Sequence, residues 1–388
     1  MSSPQAAEPK PPRLSAALAG VHREGAFIFG VVAKRTYLVA GSCTVAPEQI
    51  PLVEEPIYSA EEAILEHDTD LVLQREQCDV IVLGHAYSPG QRSFAIRINV
   101  GPLVRDMYVF GDRRLEPIGN GGVRFSLPEP FDKMPLRWEN AYGGVDMVTR
   151  EAIGDPFAEW AADEGVAHDP RYGLYGYPRN PVGKGYLLEP TPEAIAACRL
   201  PNFEDPRQAL TPETVARWDF MRWPIGPIVA ATGWLSHNYF PRSVQMGMPP
   251  SPYNDGELQA EHFFEVGAGI VDASTVANAT SLRDRIDVRA VQQSAIGMRI
   301  PELDPGAPVE LINLHPRQPN WRFRLPGEVP QLAYRLPGRD VERLRPRIRT
   351  ILLEPDLDRV TLVWVGETRV DLPITPEQFA AIQHGVIW

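Results

Sequence analysis

Asp132, Glu139 and Asp146 sit in a glycine- and proline-rich stretch beside Trp138 and Tyr142. An apolar aromatic surround raises a carboxyl pKa, and two carboxyls tuned apart in this way are the machinery of glycoside hydrolysis. Glu139 is the centre of that reading. Acids in such loops more commonly cap turns or pair with arginine, and loop spacing fixes no distance between carboxyl groups. Turn-holding is therefore the expectation, no catalytic residue is assigned, and a carbohydrate- or cell-wall-active hydrolase built on Glu139 stands as the alternative.

Other chemistries find less support. No serine has the Gly-x-Ser-x-Gly frame of a nucleophile elbow. Gly183-Lys184-Gly185 approaches a phosphate loop, but Gly185 stands where a magnesium-binding Ser or Thr belongs and Pro178 stands where the first glycine belongs, so the segment reads as a turn. The eight histidines form no His-x-x-x-His or His-Glu-x-x-His cluster, and His262 with Glu265 alone does not supply the three ligands of a catalytic zinc. Neither a metal nor another cofactor is expected.

Trp138, Tyr142, Tyr172, Tyr175, Tyr177 and Tyr186 carry two readings. Large rings can bury themselves as a satellite core that pins a long loop, and this is the favoured reading. Exposed, the same rings would form a recognition platform, because interface energy concentrates on aromatic and arginine anchors.

The elements that must position these residues are mainly strands. Phe27 to Val39 is β-prone and runs into a Gly41-Ser42 turn, a second strand-like run spans Asp79 to Ala86, and Phe94, Ile96, Ile98 and Val100 alternate with polar or small residues as a half-buried strand requires. Gly119 to Gly122 predicts a hairpin between Leu115 and Phe125. Residues 128–206 read as a long loop region crowded with Pro, Gly, Tyr and Trp. Thr-Pro-Glu at 191, 211 and 375 predicts short helices, each with a hydroxyl cap and a proline in the first turn. At the last of these Gln378 completes a capping box, and the apolar residues through Val386 and Ile387 predict a terminal amphipathic helix of about two turns. Trp321, Phe323 and Leu325, then Leu332, Tyr334 and Leu336, alternate as two more strands, and residues 351–364 read as a hairpin about Pro355 to Asp358.

The fold class expected is mainly β with short helices, with antiparallel, sandwich-like sheets and no βαβ alternation. Residues 1–12 are read as a flexible lead-in, with the fold starting near Ala26. Residues 13–300 are read as a β-rich unit and 301–388 as a small antiparallel sheet closed by the terminal helix, the two reading equally well as one continuous unit. Forty prolines, roughly twice the usual share, favour turns over long helices. The formal charge of −12 opposes sequence-independent binding to nucleic acid or anionic lipid. Three scattered cysteines, the lack of an apolar leader and the lack of any run of about 18 apolar residues place the protein in the cytoplasm.

Three ordered blocks then carry a resemblance: Arg137-Trp138-Glu139-Asn140-Ala141-Tyr142-Gly143-Gly144, Arg179-Asn180-Pro181-Val182-Gly183-Lys184-Gly185-Tyr186, and Leu200-Pro201-Asn202-Phe203-Glu204-Asp205-Pro206. Together they resemble the DUF2169 family. Val32 to Tyr37, Val109 to Arg114, Glu310 to Leu325 and Leu353 to Gly366 extend the likeness over most of the chain, while residues 228–300 match less. The resemblance implies a non-enzymatic adaptor or chaperone of bacterial type VI secretion, coupling an effector toxin to the VgrG or PAAR spike. It makes Trp138, Glu139, Tyr142, Gly143, Gly144, Asn180, Pro181, Gly183, Lys184, Gly185, Asn202 and Glu204 the candidate binding residues.

Overall fold

A computed structural model describes residues 16–23, 26–59, 64–75, 77–119, 122–165, 169, 171, 175–215, 229–239, 242, 292–370 and 374–388. The expected lead-in, His262 with Glu265, Tyr172 and most of 228–300 lie outside the described residues.

The chain is mainly β. Its larger sheet has seven strands, β1 (Ala16–Arg23), β2 (Ala26–Ala40), β3 (Ser42–Val45), β6 (Cys78–Val82), β16 (Arg299–Ile300), β21 (Arg347–Glu354) and β22 (Arg359–Val370). β1 pairs with the first half of β2, so the fold begins ten residues ahead of the expected Ala26. Gly41, at φ 84°, makes the predicted turn and lets β3 fold back on the far end of β2. On its other edge β2 pairs along twelve residues with β22, which is buried from Val360 to Val365 as a central strand requires. β21 and β6 form a parallel pair within this otherwise antiparallel sheet.

The second sheet has five strands, β15 (Phe203–Glu204), β9 (Leu103–Phe110), β8 (Ser93–Val100), β17 (Pro308–Ile312) and β18 (Asn320–Arg324), in that order. The period-2 pattern of β8 turns Ile96, Ile98 and Val100 inward as predicted, and Trp321 and Phe323 do the same from β18. These residues share one core with Phe27, Phe29, Val31, Ala33 and Tyr37 of β2, a sandwich-like arrangement. The outer face of this sheet is laced by cross-strand polar pairs: Arg97 donates to Asp106 at 2.6 and 2.8 Å, and Glu310 accepts from Asn99 and Arg322.

Smaller pairs complete the chain. β4 (Ile57–Tyr58) pairs β5 (Leu65–His67), β7 (His85–Gln91) pairs β12 (Phe131–Pro135), and β10 (Leu115–Ile118) pairs β11 (Gly122–Phe125) as the predicted hairpin. The run expected from Asp79 to Ala86 is broken at Gly84, whose φ of 138° ends β6 and starts β7. Strands β19 (Gln331–Arg335), β20 (Val341–Leu344) and β23 (Gln383–Ile387) form a three-stranded sheet.

The helices are α1 (Met147–Ile153), α2 (Pro156–Asp163), α3 (Pro192–Ala197), α4 (Pro212–Val215) and α5 (Pro376–Ala380). Thr191 and Thr375 cap α3 and α5 through their hydroxyls, and Gln378 completes the capping box. α5 is shorter than expected: it stops after one turn, and Val386 and Ile387 belong to β23, which fills the open edge of β19. β-branched residues favour that extended pairing over a helix end. Strands on either side of residue 300 pair in both large sheets, β2 with β22 and β8 with β17, so the expected boundary there runs between hydrogen-bonded partners. Among the described residues no helix is long and apolar enough to cross a membrane.

Candidate functional site

The three motif blocks meet: the first two interlock at Asn180, and the third joins them through Asn202 and Pro201. A 3-10 turn at Trp138–Asn140 directs the carbonyl of Trp138 toward the Asn180 side chain, which donates to it at 2.8 Å and to the Tyr142 carbonyl at 3.1 Å. The Asn180 carbonyl in turn accepts from the Gly144 N–H at 2.9 Å. β13 (Tyr142–Gly143) then pairs in parallel with β14 (Lys184–Gly185). The first two blocks are thus one hydrogen-bonded knot, buried except for a few side chains.

The glycines are there because nothing larger fits. A Cβ on Gly143, at φ 148°, would lie 2.0 Å from the Asn180 carbonyl oxygen, and one on Gly144, at φ 100°, would lie 2.5 Å from that of Gly183. Gly183 itself presses on the Asn180 amide, and Gly185 packs against Pro201. Pro181 is buried beside them. Gly183-Lys184-Gly185 is accordingly a strand and turn of the knot.

Asn202 ties the knot to the five-stranded sheet. Its N–H donates to the Asn140 carbonyl at 2.8 Å, and its side chain donates to the Phe110 carbonyl and to Asp112. Glu204 is buried in an ion pair with Arg113 and also accepts from the Leu210 N–H. The Arg113 guanidinium lies 3.8 Å from the Phe110 ring centroid, and burial lowers its pKa against the raising effect of Glu204. Burial pushes the Asp205 carboxyl up, yet hydrogen bonds from Arg207 and Arg105 outweigh it and hold the group at about 2.

The aromatic rings form a satellite core, not an open platform. Trp138, Tyr142, Tyr175, Tyr177 and Tyr186 are all buried. Tyr142 meets Tyr177 edge-on at 5.1 Å, Tyr177 meets Tyr186 at 5.5 Å, and Trp138 meets Tyr239 at 5.6 Å. Burial drives the Tyr142 hydroxyl well above its ordinary pKa.

The loop acids divide sharply. Asp132 accepts from the Gly90 N–H, and Asp146 caps α1 while accepting from Thr149, Leu188 and Glu189. Both hold turns. Glu139 is half-buried, its Oε1 is 3.9 Å from Arg137, and its Oε2 is enclosed with no hydrogen-bond partner. Lys184 is the other partly exposed charged member of the knot; burial lowers its pKa and Asp112, at 3.7 Å, partly offsets this. Among the described residues no group of three or more His, Cys, Asp and Glu could hold a metal ion.

Sequence reasoning missed a second polar assembly, on the opposite face of the seven-stranded sheet. There Lys34 donates to Asp70 at 2.8 Å, Arg75 donates to Asp79 at 3.0 Å, and Asp68 pairs with His237 and Arg242, all but His237 almost fully buried. Gln49 seals it by hydrogen-bonding both the N–H and carbonyl of Thr36, as an adjoining strand would. The available signal was Lys34 and Thr36 interrupting the apolar face of β2 that Ile28 and Val32 begin.

Fold and site together define a mainly β protein in which long aromatic loops are locked by asparagine and glycine onto the rim of a two-sheet core. The chain belongs to the family DUF2169, described as an uncharacterized protein conserved in bacteria, which it matches over residues 24–365. No curated protein and no solved structure matches it.

Proposed function

We propose that this protein is a non-enzymatic carrier that binds a type VI secretion effector and couples it to the VgrG or PAAR spike in the bacterial cytoplasm. The family resemblance supplies the secretion context. The observation that favours binding over hydrolysis is the fate of the loop carboxylates: Asp132, Asp146 and Glu204 each have oxygens occupied by the chain's own donors. Glycoside hydrolysis takes two carboxyls flanking one bond, and the acids grouped with Glu139 in the sequence, Asp132 and Asp146, are engaged by the chain's own backbone. The interlocked knot instead offers a rigid frame, which lowers the ordering cost of holding a partner.

The test is affinity purification of the tagged full-length protein from its native host under conditions that induce secretion. Recovery of a toxin or a spike protein is the expected result, and recovery of neither overturns the reading. Glu139→Gln separates the alternative: a hydrolase has a measurable turnover that this change abolishes, whereas a carrier has no turnover to lose.

A further inference from the structure

Glu139, Trp138 and Trp234 line a cavity of about 310 Å³ between the motif knot and the β4–β5 segment. Leu65, Leu83 and Leu136 make its apolar wall. Glu66 and Arg137 also line it and are exposed, so the cavity opens to solvent. Trp138 is 5% and Trp234 2% exposed, and neither indole Nε1 has a hydrogen-bond partner. Unsatisfied buried polar groups are costly, so two orphan donors and an orphan carboxylate oxygen, on three residues that line one cavity, call for an explanation.

The donors and acceptors specify the ligand. An indole N–H only donates and an ionised carboxylate only accepts, so a molecule matching both needs carbonyl oxygens and N–H groups on an apolar body. A peptide segment has all three. The volume lies at the small end for ligand sites, enough for one or two side chains. Glu66 and Glu139 outnumber Arg137 at the opening, on a chain of net charge −12, which favours a basic neighbour to the buried side chain.

We infer that this cavity anchors an extended segment of the partner polypeptide, taking one apolar side chain between Trp138 and Trp234 with an adjacent arginine or lysine on Glu139. The inference rests on the carrier reading above and names the chemistry of the partner. Gly233 provides a clean way to block it. A Cβ there would meet Leu83 and the Trp138 Nε1 at 3.6 Å, an ordinary contact, so Gly233→Val fills the cavity without backbone strain.

The indole N–H signals of the eight tryptophans in the ¹⁵N-labelled full-length protein report on the site directly, with Trp138 and Trp234 assigned through their Phe variants. The probe is the peptide acetyl-Gly-Leu-Arg-Gly-amide, with acetyl-Gly-Leu-Glu-Gly-amide as its charge-reversed control. The arginine peptide shifts both signals with a Kd on the order of 1 mM, Glu139→Gln weakens it about fivefold, and a folded Gly233→Val protein does not respond. Signals that stay still at about 10 mM peptide, or equal responses to both peptides, overturn the anchor. So does a folded Gly233→Val protein that binds as wild type. In host purifications, Gly233→Val that recovers the partner as well as wild type sinks the anchor and leaves the carrier standing. A wild-type protein that recovers no partner sinks the carrier itself.

Discussion

The motif knot and the buried polar layer solve one problem, polar groups away from water, by opposite means. In the knot, backbone carbonyls are matched by neutral amides from Asn180 and by chain segments that only glycine allows to approach. In the layer beneath β2 and β6, ionised side chains are matched by one another. The first arrangement is sensitive to volume, since a single methyl collides with backbone. The second is sensitive to deletion, since removing one charge strands its partner in a medium that cannot solvate it.

That contrast predicts a ranking of damage. Asp79 accepts from Arg75, from the N–H groups of Gln293 and Ser294, and from the Ser294 hydroxyl, so Asp79→Ala strands several donors at once. A loss of about 3–5 kcal/mol in urea unfolding is expected, and a loss below about 1 kcal/mol would show that these buried donors do not depend on Asp79.

Gly143→Ala comes next, at about 3 kcal/mol, because its methyl would stand 2.0 Å from the Asn180 oxygen at a φ that L-residues avoid. Gly385→Ala is its control: a Cβ there meets nothing within 4 Å, and a change under about 0.5 kcal/mol is expected by the same measurement. Comparable losses in the two would remove close approach as the reason for the motif glycine.

Acid sharpens the comparison more gently. The Asp205 carboxyl has its folded pKa lowered from 3.8 to about 2, so its stabilisation is present above pH 3.8 and is lost as pH falls toward 2. Wild type should lose on the order of 1–2 kcal/mol across that window beyond what Asp205→Asn loses, read from unfolding midpoints at each pH. Smallest of all is Arg322→Ala on the outer face of the five-stranded sheet, where an exposed partner of Glu310 contributes under about 1 kcal/mol. A larger loss would mean that this face is more than a solvated surface.

Much of the fold was legible because its determinants are local. Alternation in β8, β18 and β19, the hairpin turns, and the Thr-Pro-Glu caps of α3 and α5 depend on neighbours within a few residues. The terminal helix was misjudged at its end because an open β19 edge, more than forty residues away in the chain, decided that Gln383–Ile387 would be a strand. The site residues were named from their motif, yet their burial was not visible there. Whether Trp138 faces water or Tyr239 depends on contacts a hundred residues apart.

By itself, then, the sequence determined the mainly β class, the positions of most strands and turns, and the membership of its family that residues 24–365 carry. Those features follow from backbone preferences and side-chain period. Only the tertiary structure decided that the first two blocks interlock at Asn180 while the third joins through Asn202, that Asp146 is enclosed by donors while the Glu139 Oε2 has none, and that Lys34, Asp70, Arg75 and Asp79 lie in a buried layer. The physical reason is that hydrogen-bond satisfaction and burial belong to pairs of groups distant in sequence, and no single stretch of residues contains both members of the pair.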